Sequence, residues 1–163
     1  MKRRKFGDLF TKCRFLEWII KNNKSKNYSL ASEFLFSEEK RYADIVKITK
    51  SSTTAYEIKS EKDNTYRLYE QLNCYSKTFD YTYVVCHIKH LEAVYKIANL
   101  GIGIITETSP RRFKIIRKAT KNLSLSPLSL LTLFSRVELQ QFCNKKLDKQ
   151  YHLKCFANNY LPK

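Results

Sequence analysis

Two runs of strand character, 42–48 and 53–59, lie four residues apart, and each is broken by charge where burial would be expected. Tyr42 to Ile48 alternates and is β-branched, Thr53 to Lys59 is similar, and Lys50-Ser51-Ser52 is turn chemistry, so the pair reads as an antiparallel hairpin. Inside it, Ala43-Asp44-Ile45-Val46 and Tyr56-Glu57-Ile58-Lys59 set two acids and a lysine among apolar neighbours. Charges buried in this way cost stability unless they are paired or bound to a metal. Whether Asp44 and Glu57 face each other depends on the pairing register.

The surrounding pattern predicts a mixed α/β (α+β) sheet flanked by helices. Phe6, Leu9, Phe10, Cys13, Leu16, Ile19 and Ile20 recur at helical spacing over 6–22 and predict an amphipathic helix with these residues on its buried face. A short extended segment, Glu33 to Phe36, precedes the hairpin. From Asn64 the pattern turns helical through Tyr66, Leu68, Tyr69, Leu72 and Tyr75, with Asp63 placed to cap that helix. Then come a strand at Tyr81–His87, a helix at Leu91–Asn99, and strands at Gly101–Thr106 and Phe113–Arg117. The order is α-β-β-β-α-β-α-β-β. Helices at Leu128–Leu133 and Val137–Leu147 follow, so residues 1–121 form the main domain and 122–163 a basic helical extension packed on it.

Composition narrows the function classes. The chain of 163 residues is 43% hydrophobic, enough for a real core, and carries a net charge of +16. The acids are concentrated: 7 of 15 fall between residues 33 and 63, whereas from residue 108 onward twelve Lys and Arg face two acids. A simple nucleic-acid binder gains nothing from carboxylates near phosphates. A phosphodiester-cleaving enzyme needs basic walls and an acidic centre together. No apolar run is long enough to span a membrane and no signal peptide is visible, so a cytoplasmic protein is expected. Five scattered cysteines, Cys13, Cys74, Cys86, Cys143 and Cys155, read as reduced thiols filling the core. His87-x-x-His90 lacks a second ligand pair at finger spacing, so zinc is not expected.

Hydrolysis of a phosphodiester requires an aligned water and relief of the charge that builds on the phosphoryl oxygens. Mg2+, with Mn2+ as a substitute, supplies both and prefers oxygen ligands. Asp44 and Glu57 offer two carboxylates, and Ile58 its backbone carbonyl while its side chain points into the core. Lys59, two residues after Glu57, lies on the same strand face and can touch the attacking water or the phosphate. Arg67, one helical turn before Gln71, can reach a phosphate, with a salt bridge to Glu70 or Asp63 as its structural alternative. Arg111, Arg112, Lys114, Arg117, Lys118 and Lys121, with Phe113 interleaved, can track a nucleic-acid backbone or remain a solvated strand.

Arg41-Tyr42-Ala43-Asp44-Ile45-Val46, Tyr56-Glu57-Ile58-Lys59-Ser60-Glu61-Lys62-Asp63, Arg67-Leu68 and Gln71-x-x-x-Tyr75 together resemble the PD-(D/E)xK nuclease superfamily. The likeness is closest to small bacterial and phage members with an R-x-A-D-I-V…E-I-K-S-x-x-D…R-L-x-x-Q-x-x-x-Y pattern, and it covers about residues 30–88. The resemblance implies a restriction-endonuclease-like sheet, a magnesium site at Asp44 and Glu57, and Lys59 as catalytic lysine. It implies Glu33 as an additional catalytic acid, and Gln71 and Tyr75 as the substrate-contacting pair of RecB-like members. No Pro precedes Asp44, a departure from the common pattern. The expectation is therefore a magnesium-dependent DNA endonuclease, with a homodimer as one assembly suited to duplex cutting. The alternatives are a nucleic-acid-binding protein that keeps the fold without turnover, and an RNA partner, for which no readout module is visible.

Overall fold

The computed structural model describes residues 6–23, 25, 27–37 and 39–143. Its elements are α1 (Phe6–Asn22), β1 (Ser29–Phe36), β2 (Arg41–Ile48), β3 (Thr53–Lys59), α2 (Leu68–Thr78), β4 (Tyr81–His87), a 3-10 turn at Ile88–His90, α3 (Leu91–Ile97), β5 (Gly103–Ser109), β6 (Arg112–Arg117), α4 (Pro127–Leu131) and α5 (Arg136–Cys143). The six strands form one mixed sheet in sequence order. β1, β2 and β3 pair antiparallel, β3, β4 and β5 run parallel, and β6 returns antiparallel. The two parallel pairings are linked through α2 and α3, as parallel neighbours require. Asp80, just before β4, accepts hydrogen bonds from the Thr53 amide (2.8 Å) and hydroxyl (2.9 Å), tying the starts of β3 and β4 together.

The period of two sorts the strands onto two faces. Ile45, Tyr56, Ile58, Val85 and Ile105 pack with Phe15 and Ile19 of α1. On the other face, Val84, Cys86 and Ile104 pack with Leu68 and Leu72 of α2 and Val94 of α3. Val46, Ala55 and Phe36 meet Cys74, Tyr75 and Phe79, with Leu133 from the stretch after α4 closing the edge. The described part of the C-terminal extension thus packs on the sheet domain, and its approach is fixed where the Ser126 amide donates to the Lys77 carbonyl at 2.8 Å.

Several expectations need correction. The buried face of α1 overlaps the one its apolar residues trace only at Leu16 and Ile19. Thr11, Lys12, Phe15 and Ile19 are buried, whereas Leu9, Phe10, Cys13 and Ile20 are exposed. The helix is turned so that Lys12 and Arg14 reach carboxylates on the sheet: Arg14 Nε and Nη2 lie 2.6 and 2.8 Å from Glu107. That hydrogen-bonded pairing pushes the Arg14 guanidinium above its ordinary value. Cys13 therefore does not fill the core, whereas Cys74 and Cys86 do, and burial pushes the Cys86 thiol up to about 12. The side chain of Cys143, all of Cys155 and the predicted helix beyond residue 143 lie outside the described residues.

The first strand begins at Ser29 rather than Glu33, and α2 starts at Leu68 rather than near Asn64. Asp63 does not cap that helix. Its Oδ2 accepts from the Ser60 amide (2.7 Å) and hydroxyl (2.5 Å), closing a tight loop after β3 that delays the helix. Among the described residues no helix is long and apolar enough to cross a membrane.

Gly103 marks the tightest approach in the sheet. It pairs with Tyr83, whose ring lies across the place a Cβ would take and stacks on Tyr56 with centroids 5.6 Å apart. The Ala119 backbone nitrogen would also lie 2.8 Å from that Cβ. Gly103→Ala should therefore destabilise the fold by about 1–3 kcal/mol through overpacking, measured by urea unfolding; an unchanged midpoint would contradict this packing.

Candidate active site

The register aligns three acids across three strands. β1 pairs Ser32 with Ile45 and Phe34 with Ala43, which sets Glu33 opposite Asp44. β2 pairs Ile45 with Tyr56, so Asp44 comes next to Glu57 one step further on. The β2–β3 ladder stops at Ile45–Tyr56, before this step. In place of a backbone carbonyl, the Asp44 carboxylate accepts from the Ile58 amide: N–H to Oδ2, 2.7 Å. Amide and carbonyl of one residue leave a strand on the same edge, so the Ile58 carbonyl faces this opening as well.

Glu33 sits at φ 51, in the left-handed region. For a non-glycine residue this costs about 1–3 kcal/mol and must be held by its surroundings. Here the holder is Lys12, whose Nζ lies 2.6 Å from Glu33 Oε1 and 2.7 Å from Asp44 Oδ1. Lys12 arrives from the α1 face of the sheet. From the α2 face come Gln71 and Tyr75. The opening between β2 and β3 lets both helices reach one row of acids.

Glu57 is 2% exposed and its two oxygens are both engaged. Oε1 accepts from Lys59 Nζ (2.7 Å) and Gln71 Nε2 (2.6 Å), and Oε2 accepts from the Tyr75 hydroxyl (2.7 Å). Lys59 Nζ also donates to Gln71 Oε1 at 2.9 Å, closing a three-membered ring of side chains. Burial raises the Glu57 carboxyl above its ordinary value, and the Asp44 charge raises it further, against the pull of Lys59 and the Tyr75 hydrogen bond. The Tyr75 hydroxyl is pushed well above its ordinary value by burial and by the Glu57 charge, so it remains a donor.

Asp44, Glu57, Lys59, Glu33, Gln71 and Tyr75 are thus gathered at one place. Arg67 lines an adjoining recess of about 300 Å³ with Arg41, Tyr42, Phe36, Gln71 and Tyr75. It makes no ion pair with Glu70 or Asp63; it is Arg41 that lies 2.7 Å from Glu39 and 3.9 Å from Glu70. The β6 cations are not brought to the row. Arg112 and Lys114 are exposed on the far edge strand, three strand spacings from β3, about 14 Å. Arg111, at φ 66, leans toward Glu17 at 3.5 Å. Phe113 is packed against Phe15 and Trp18, and Arg117 ties the Ala98, Asn99 and Ile102 carbonyls, so neither is available to track a backbone. His90 Nε2 lies 3.1 Å from the Ser60 carbonyl, and His87 Nδ1 accepts from the Lys89 amide. Among the described residues no three His, Cys, Asp or Glu side chains gather to hold an ion.

The sequence reading missed Lys12 and Arg41. For Lys12 the only signal was a cation one helical turn from Phe15, where any exposed lysine would also stand. Arg41 lay in the quoted motif with no role attached.

Residues 1–160 match the family described as Bacteriophage P4 protein cII. Protein cII of Enterobacteria phage P4 is 28% identical over 137 residues, covering 82% of this chain and 52% of that protein. The chain therefore spans about half the length of this curated relative. Among solved structures, a protein of unknown function from Silicibacter pomeroyi aligns with a TM-score of 0.53 at 12% identity, covering 98% of this chain and 94% of that one. That likeness extends to the fold alone.

The raised Glu57 carboxyl makes stability depend on pH. Its native pKa lies above its unfolded value, so the native state binds the proton more tightly. Its contribution to stability is full below the ordinary carboxylate range and is lost as pH rises through the native value. Glu57→Gln removes that penalty. In buffer with a chelator it should melt a few degrees higher than wild type at neutral pH, and the two should converge below about pH 4. Melting curves across that range decide the matter; a variant that melts lower at neutral pH would mean that the lost Lys59 contact outweighs the burial cost.

Proposed function

The chain belongs to the Bacteriophage P4 protein cII family, and for this member we propose a metal-dependent nuclease that hydrolyses DNA phosphodiester bonds at the Asp44–Glu57–Lys59 site. The observation that carries this reading is the stop in the β2–β3 ladder at Asp44, which leaves two acids side by side in a mostly buried opening. The resemblance to the PD-(D/E)xK superfamily points the same way, and the six-stranded mixed sheet is compatible with a restriction-endonuclease-like fold.

The donor set suits a hard cation. Magnesium is commonly held by one or two carboxylates together with water and substrate phosphate oxygens, and Asp44 and Glu57 are such a pair. The charge of Asp44 destabilises ionised Glu57, a conflict that a cation between them relieves. Asp44, Glu57 and the Ile58 carbonyl would hold it, and there it would supply charge neutralisation at the phosphoryl oxygens and a water of lowered pKa. Lys59 is held by Glu57 and Gln71 with its ammonium at the same place, ready to offset charge on the phosphate or orient the attacking water. Gln71 fixes Glu57 and Lys59 relative to each other, and Tyr75 fixes the second Glu57 oxygen. Arg41 and Arg67 border the recess beside Gln71, where a flanking phosphate would dock.

Incubation with supercoiled and linear DNA in Mg2+ or Mn2+ should give cleavage by wild type. Asp44→Asn and Lys59→Ala should lower the rate by at least about 100-fold, while DNA retention in a filter assay stays within a few-fold. Arg67→Ala should weaken binding and flatten its salt dependence. The exposed cations of β6 favour a second reading, DNA binding without turnover. That reading predicts salt-sensitive retention, no products, and no response to metal. Products formed equally by wild type and Asp44→Asn would remove Asp44 from the chemistry.

A further inference from the structure

Lys12 is the group that neither the motif nor the proposed chemistry absorbs. It is 9% exposed, on a helix whose position is set within the next turn by buried Phe15 and by the Arg14–Glu107 pair. Its ammonium is therefore delivered to a fixed point rather than lying loosely along a rim. At that point it meets two carboxylates from different strands, Glu33 at 2.6 Å and Asp44 at 2.7 Å, at the short end of charge-assisted hydrogen bonds. Glu33 takes up a left-handed backbone conformation at the same place.

We infer that Lys12 is the site's own resident cation, filling the Glu33–Asp44 half of the acid row and limiting the row to a single divalent ion shared by Asp44 and Glu57. This rests on the metal-dependent reading above. Charge supports it: the Lys12 ammonium already meets the Glu33 and Asp44 carboxylates together, at the place where a second divalent ion would need to bind. Atom count supports it too. Asp44 Oδ1 serves Lys12 and Oδ2 serves the Ile58 amide, and each oxygen keeps a further lone pair. Glu33 Oε1 accepts from Lys12, and among the described residues no three acidic ligands gather around one point. Withdrawing the ammonium removes the charge that bridges Glu33 and Asp44, two adjacent carboxylates of the kind a second divalent ion takes as ligands.

The full chain is titrated with Mn2+, free ion being followed by electron paramagnetic resonance and heat by calorimetry. Wild type and Lys12→Arg should each bind one Mn2+. Lys12→Met should bind two, or hold the one at least ten-fold tighter. Lys12→Gln, which keeps hydrogen-bond donors to both acids but no charge, should behave as Lys12→Met and serves if the methionine variant does not fold. One ion at wild-type or weaker affinity in the neutral variants overturns the inference and leaves the nuclease reading standing, as would two ions in wild type. No Mn2+ bound by wild type overturns both.

Discussion

Asp44 takes a place in the sheet that a backbone carbonyl would ordinarily hold. Where β2 should continue its ladder with β3, the carboxylate receives the Ile58 amide instead, and the two strands part. Everything distinctive about this fold follows from that substitution. A continuous sheet would separate α1 from α2 completely; the opening lets Lys12 approach from one side while Tyr75 and Gln71 approach from the other. The exchange satisfies the Ile58 amide, so the break leaves no orphaned donor, whose cost would be about 1–3 kcal/mol. It also brings a carboxylate pair together, so that burial first and the Asp44 charge second make Glu57 harder to ionise than an ordinary glutamate.

The packing of α1 illustrates a contest between two forces. Of the apolar residues that trace its stripe, Ile19 is buried and Leu16 packs beside it, yet Leu9, Phe10, Cys13 and Ile20 face solvent. Burial of Phe15 is worth about 1.5–3 kcal/mol, and Ile19 joins it, but the helix is rotated to bring Lys12 to Glu33 and Asp44 and Arg14 to Glu107. Without those cations the acids would lose their charge-assisted contacts, and for a buried carboxylate such as Glu107 that loss costs several kcal/mol. Exposing a few apolar side chains at the surface is the smaller loss. A helix in a sequence of this kind therefore cannot be oriented from hydrophobic spacing alone when the sheet beneath it carries charge.

Charge is laid out in two tiers. Close to the acids, cations contact carboxylates directly: Lys12 meets Glu33 and Asp44, Lys59 meets Glu57, and Arg14 meets Glu107. Further out, Arg67 lines the recess beside Gln71, and Arg112 and Lys114 are exposed on the distant edge strand. The inner tier balances buried acids, and the outer tier supplies the long-range field that a polyanion would feel. The match to the phage P4 protein cII family covers nearly the whole chain, so both tiers lie within the family-matched region.

The sequence by itself determined the order of elements, the mixed sheet with flanking helices, and the identity of the residues at the centre of the site. The reason is local. Period-two runs, turn chemistry and charges interrupting apolar strands are all visible within a few neighbours, and the spacing of Gln71 and Tyr75 places both on one helical face. What it left open was relational. The register that sets Glu33, Asp44 and Glu57 in one row, the arrival of Lys12 from a helix more than twenty residues away, and the removal of Arg117 and Phe113 from the cationic strand face to structural duties all depend on how distant segments pack. Such contacts leave no local signature, because a lysine on a helix reads the same whether it meets water or two buried carboxylates. Only the closed fold, in which each buried charge must find a partner, distinguishes the two.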